Sequence, residues 1–333
     1  MFNYLMKGMK NSKLPIAVTL LTVLTACSSG GSDEPTPTPT PTPVDENVSV
    51  DVKFGWSGAD GGSSSSKMAF VAFADGASPV QVAFNGSNGG TTKLAPKTYS
   101  FISYNSDTQT LSTRGTTWNT FEIYSKPTSL ANVSKVFENS SSIPRSRGAE
   151  NEEVISEPSA LFTSALQNVT LTKGQSSLSL DMSMETATKE YSFTISNVEN
   201  LSYAAEAVAT LSGMSGSWMP ALHQASASAN TIPFELSLSG DKIVGKVRSF
   251  GSSASSSSSQ DKTDNLLTVY VEMKDGSKVY STINVSEVVQ NASSQSGSTD
   301  LPVNVDGLKL PAPVEGVQPS VNEWINVTQE IKM

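Results

Sequence analysis

The chain has 333 residues, 22 Lys and Arg against 31 Asp and Glu, and a formal net charge of −9. An acidic surface of this kind repels phosphate backbones and anionic headgroups, which excludes nucleic acid as a partner. One cysteine leaves no internal disulfide and no dithiol chemistry, and one histidine, His223, leaves no second imidazole for a metal or a proton relay.

Residues 1–26 read as an export leader, to be set aside before the fold is considered. Lys7, Lys10 and Lys13 form its cationic start, and residues 14–24 (LPIAVTLLTVL) give an apolar run of 11 residues. That is about half of what a membrane-spanning helix needs. Leu24, Thr25, Ala26 and Cys27 make a lipobox, in which small residues before the cysteine admit a lipoprotein signal peptidase and the Cys27 thiol carries a diacylglycerol thioether. A chance cysteine in an ordinary leader is the alternative, and its position and the polar stretch behind it argue against that. A diacylglyceryl thiol together with an acylated new terminus exceeds the two lipid signals required for stable anchoring, at about 0.8 kcal/mol per buried methylene. Covalent lipid on Cys27 is thus the expected membrane link, and no other cofactor is expected. Losing three lysines with the leader moves the formal charge from −9 to −12.

Residues 27–47 are predicted to be a tether. Pro alternates with Thr over residues 35–43, and such a ladder favours polyproline II at roughly 3.1 Å per residue. An SH3-type ligand is the other use of this pattern, but beside a lipidated cysteine a spacer explains it better.

Strands follow. Val48, Val50, Val52, Phe54 and Trp56 alternate with Ser49, Asp51 and Lys53, the period of a half-buried strand. Further strands are predicted at 67–74, 80–84, 98–104 and 118–124, with the glycine-rich residues 85–90 as a turn. Together they predict one sandwich over 48–125. Alternation fades from 126 to 167, read as a linker with a short strand or helix, in which Arg145 and Arg147 are either protease targets or part of a solvated hinge. Glu150, Glu152 and Glu153 read as linker solvation.

A second sandwich is predicted over 168–333. Its apolar sets are Leu178 to Met184, Tyr191 to Ile195, Ile232 to Leu238, Leu267 to Met273, Val279 to Val285 and Ile325 to Ile331. Four alanines in residues 201–211 raise helix propensity, yet the strand-rich setting favours a strand. Serine-rich residues 252–259 and polar residues 290–299 are predicted loops.

The lipobox with its Pro–Thr tether, residues 48–56 (VSVDVKFGW), 98–108 (TYSFISYNSDT), 120–124 (TFEIY), 211–217 (LSGMSGS) and 324–333 (WINVTQEIKM) together resemble fimbrillin-like lipoproteins of Bacteroidales-type bacteria, in a branch of unknown function. Asp33 and Glu34 resemble the acidic export signal of surface-displayed lipoproteins of such bacteria. The resemblance implies an all-β fold: two transthyretin-like or immunoglobulin-like antiparallel β-sandwich domains in tandem behind a lipidated flexible tether. It also implies assembly by strand addition, in which an arginine-specific protease removes a precursor's lipidated first strand and a neighbouring subunit fills the groove. Here no arginine lies between Cys27 and Arg114. A cut that removes only the first strand has no target, so the anchor is expected to persist. The last strand, 324–331, would then close its own sheet or pair with a neighbour.

Catalysis finds no support: His223 sits in a predicted loop and no carboxylate spacing marks a metal site. The expected protein is a non-enzymatic lipoprotein of the cell outer membrane facing the exterior. It would serve as a fimbrillin-like accessory or anchor subunit or as an adhesin, with other fimbrial subunits or host or bacterial surface ligands as partners. The alternative is a glycan-binding surface lipoprotein of a polysaccharide-capture system. Trp56, Trp118, Trp218 and Trp324 are the aromatic candidates, with Trp218 the expected exposed platform.

Overall fold

The computed structural model describes residues 46–60, 64–138, 140, 142–253, 264–293, 300–312 and 323–327. Alternation at the start of this range becomes β1 (Val48–Gly58), with Val48, Val50 and Val52 fully buried. The first half continues with β2 (Lys67–Phe73), β3 (Val80–Asn85), β4 (Gly89–Leu94), β5 (Thr98–Asn105), β6 (Leu111–Arg114), β7 (Glu122–Ser125), β8 (Glu153–Val154), β9 (Phe162–Thr170) and β10 (Ser177–Thr186). The second half adds β11 (Lys189–Glu199), β12 (Ala204–Ser215), β13 (Ser217–Met219), β14 (Gln224–Ala225), β15 (Ala229–Ser239) and β16 (Lys242–Ser249). It ends with β17 (Leu266–Met273), β18 (Lys278–Asn284), the helix α1 (Ser286–Ser293), β19 (Asp300–Lys309) and β20 (Trp324–Asn326).

Among the described residues these strands form three sheets, the first in the order β3-β2-β5-β9-β10-β1-β4. Its halves are joined only where Phe162 and Thr163 of β9 meet Thr186 and Glu185 of β10, so the sheet turns a corner and its two layers close on Phe70, Phe101, Val50, Val52 and Met182. β1 is an inner strand: it runs parallel to β10 in the register Val50↔Leu178 and Val52↔Leu180, and antiparallel to β4 in the register Val50↔Thr92 and Val52↔Gly90. β4 falls partly in the segment expected to be a turn. Its Gly89 has φ +101, and a Cβ there would lie 1.9 Å from the Val52 carbonyl oxygen, so only glycine allows so close an approach.

The second sheet has the order β19-β11-β16-β15-β12-β17-β18-β20, with β8 beside β15. It encloses Tyr191, Phe193, Ile195, Ile232, Phe234 and Val303. Residues 201–211 resolve as a short 3-10 turn (Leu201–Tyr203) followed by β12, the strand the setting favoured over helix; Ala207 and Ala209 are buried in its core. The sandwich class is as expected, but four pairings are parallel, namely β1–β10, β11–β19, β15–β8 and β18–β20. Parallel partners need a long crossover, which short-range alternation does not reveal.

A third, small sheet, β14-β13-β7-β6, joins the halves, because β7 pairs with β13 through Ser217↔Tyr124 and Trp218↔Ile123. It packs on the outer face of β2 and β5, where Ala69, Val71, Phe73 and Ile102 meet Phe121 and Ile123. β2 and β5 are therefore buried on both faces, and the described residues form one compact unit.

The boundaries differ from those expected. The linker over 126–167 includes most of β9, which pairs with β5, and the C-terminal sandwich expected from residue 168 begins instead at β11, because β10 belongs to the first sheet. An alternating strand declares which face is apolar, not which sandwich receives it. The middle of the linker, instead of spanning solvent, packs on the back of the second sheet: Leu130, Val136 and Phe137 cover Val208 and Tyr270, and the Tyr270 hydroxyl donates to the Pro144 carbonyl at 2.6 Å. α1 occupies the start of the loop expected over 290–299; residues 254–259 and 294–299 lie outside the described residues. β20 pairs in register with β18 within its own chain, though Ile325, expected inside, is 53% exposed while Trp324 packs on Tyr270. Ile331 lies outside the described residues.

Phe101 stacks on Phe70 at 4.9 Å and Tyr99 at 5.7 Å and is fully buried. Phe101→Ala is expected to cost about 3–5 kcal/mol, read as a lower urea midpoint with an unchanged slope.

Candidate functional site

An open groove of about 770 Å³ lies on the first sandwich. Three segments build it. The β2–β3 turn supplies Asp75 and Ser78 above Phe73, and is closed by the Ala77 N–H donating to the Ala74 carbonyl at 3.2 Å. The β6–β7 connection supplies Thr116, Trp118 and Asn119; Trp118 was expected to open a strand and instead begins a 3-10 turn (Trp118–Thr120). Thr117 and Thr120 cap that turn reciprocally, their hydroxyls 2.7 Å apart. Gly115, at φ +87, lets the loop close, since a Cβ there would lie 1.9 Å from the Thr120 carbonyl oxygen.

The third wall is a β-bulge. Tyr99 pairs with Val169 and Phe101 with Leu166, so Gln167 and Asn168 together oppose Ser100. Asn168 takes φ 60, a left-handed conformation that asparagine tolerates, and both amides line the groove. Phe73 forms the apolar floor, edge-on to Trp118 at 6.1 Å and to Phe121 at 5.5 Å. Trp118 was among the four tryptophans considered from sequence; its selection depends on the bulge and two turns, which no local pattern announces.

Cys27, with Leu24, Thr25 and Ala26, lies outside the described residues. Trp218 is in β13, not in an exposed loop: its indole is half-buried against the core of the small sheet, its Nε1 is buried without a partner, and its ring meets His223 edge-on at 5.5 Å. His223 is exposed at φ 52 in the turn that follows, with Nε2 3.1 Å from Glu185 Oε2. Trp56, which its core-facing alternation would bury, is half-buried, donating from Nε1 to the Ser87 carbonyl at 2.7 Å. Trp324 is packed among Tyr270, Phe137 and Lys278.

The two arginines of the expected hinge separate. Arg147 is exposed on a turn, but Arg145 is half-buried, its Nη2 donating to the carbonyls of Ala149 and Glu152 and to Thr231 Oγ1, each at 3.0 Å. Glu152 is not linker solvation either. Its carboxylate accepts from the Gly213 N–H at 3.1 Å and the Thr231 hydroxyl at 2.8 Å. Burial pushes its carboxyl above the ordinary range, although these bonds and the Arg145 charge pull the other way. Among the described residues no group of three or more His, Cys, Asp or Glu could hold a metal ion, and no helix is long and apolar enough to cross a membrane.

The architecture defines a class: a mostly β protein of two sandwiches, stapled by a small shared sheet, with a polar groove on the first. Within it, the chain belongs to the family described as a domain of unknown function (DUF5119), whose model matches residues 44–235. Among solved structures it is similar to a candidate adhesin from Bacteroides ovatus, with 20% identity, a TM-score of 0.59, and coverage of 85% of this chain and 93% of that one. It is also similar to the fimbrial anchor protein Mfa2 from Porphyromonas gingivalis, with 10% identity, a TM-score of 0.48, and coverage of 78% and 90%. No curated protein matches it.

A raised carboxyl pKa means that the native state holds the extra proton between the ordinary value and the folded one, so stability falls as pH rises through that window. Glu152→Gln removes this dependence. Relative to the unaltered protein, the variant should therefore gain stability as pH climbs above the ordinary carboxyl value, measured by urea unfolding across a pH series.

Proposed function

We propose that this is a non-enzymatic, surface-anchored lipoprotein, a fimbrillin-like accessory or anchor subunit or adhesin, held to the outer membrane through lipid on Cys27 and facing the exterior. The observation that carries this reading is the placement of β1. The strand joined to the tether is paired on both sides and fully buried at Val48, Val50 and Val52. Each such valine contributes about 1.5–3 kcal/mol of burial. No arginine lies between Cys27 and Arg114, so an arginine-specific protease has no bond whose cleavage would free β1 alone. A subunit that keeps its first strand has no vacant groove there for a neighbour's strand, and it keeps its lipid. Such a protein begins or decorates an assembly instead of extending it. The similar protein from Bacteroides ovatus is described as a candidate adhesin, which fits the same placement.

Mass spectrometry of the outer-membrane form should find its mature terminus at a lipidated Cys27. Cys27→Ser should move the protein out of the membrane fraction, and protease added to intact cells should digest the unaltered protein. A mature terminus beyond β1 would overturn the retained anchor, and protection from added protease would overturn the exterior placement.

A further inference from the structure

We propose that the groove at Trp118 is a binding site for a neutral oligosaccharide. Its volume, about 770 Å³, falls in the range of sites that enclose a ligand of several rings. Its floor and one wall are aromatic, Phe73 and Trp118, and the remaining walls present hydroxyls, amides and a single carboxylate, that of Asp75. Asp75, Asn119, Gln167 and Asn168 are exposed, and their side chains make no hydrogen bond within the described residues. The amides can donate and accept at once, as neighbouring sugar hydroxyls require, while the indole offers an apolar surface to the C–H face of a pyranose ring.

Charge selects within this chemistry. No lining residue is cationic, one is anionic, and the chain as a whole carries −9. Sulfated or sialylated chains would meet repulsion without a compensating partner, and a lone carboxylate makes no metal site. A neutral chain of hexoses or pentoses pays neither cost. The backbone of the walls is also held before any ligand arrives: the bulge fixes the main chain at Gln167 and Asn168, the Thr117–Thr120 cap fixes the turn that carries Trp118 and Asn119, and Phe73 is buried beneath them. Preorganisation of this kind lowers the entropy lost on binding.

The site differs from the platform expected at Trp218, whose half-buried indole packs on the small sheet's core. It is also independent of the anchored reading, since ligand binding by purified protein and the terminus of the cellular form are separate measurements.

The test is calorimetric titration of detergent-solubilised full-length protein with maltohexaose, cellohexaose, mannohexaose and xylohexaose, with heparin and polysialic acid as charged counterparts. At least one neutral hexasaccharide should bind. Trp118→Ala should weaken it about tenfold or more, and Asn119→Ala and Gln167→Ala about threefold each; Trp218→Ala should leave it unchanged. The exposed amide variants guard against misfolding at Trp118, and their thermal unfolding should match that of the unaltered protein. No binding of any neutral probe, binding of the charged chains alone, or binding undiminished in Trp118→Ala and both amide variants would overturn the assignment.

Discussion

The first sandwich closes only when β1 enters between β10 and β4, with Val48, Val50 and Val52 sealed against Leu180 and Met182. β4 arrives by a short connection, whereas β10 lies more than a hundred residues further along the chain, so one ladder is local and the other spans most of the first half. The cost of closing that loop grows only slowly with its length, and two ladders plus a continuous apolar face outweigh it. Residue 47 leads directly into β1, so any force applied to the chain ahead of it acts on a strand paired along both sides. The same pairing makes loss of β1 incompatible with an intact first sandwich.

Joining the halves uses a different device. β13 and β14 come from the second half and β6 and β7 from the first, and their common sheet covers the outer face of β2 and β5. Leu130, Val136 and Phe137 then cover the back of β12 and β17, and the segment they begin brings with it Arg145 and Glu152. Partial burial of that carboxylate is tolerated because two donors and a guanidinium face it. What the composition presents as a charged hinge is thus a packed strap with an internal polar anchor.

The groove uses irregularities of the same framework. Its aromatic floor is the end of a doubly buried strand, its amides come from a bulge, and its tryptophan from a capped turn that one glycine allows to close. Bulges and turns re-aim side chains without altering the sheet that carries them, so binding chemistry can be placed on a scaffold whose ladders stay intact.

By itself the sequence determined the all-β class, most strands and the faces they bury, because these are local: a run of apolar residues and a period of two. It also determined that Arg114 is the first arginine after Cys27, which bears on how the chain can be processed. Only the tertiary structure decided that β10 belongs with β1, that Leu130, Val136 and Phe137 pack on the second sheet, and that Trp118 instead of Trp218 stands in a polar groove. The physical reason is one and the same: alternation gives a side chain its face, while its partner is chosen by long-range register and by bulges and turns whose outcome depends on everything packed against them.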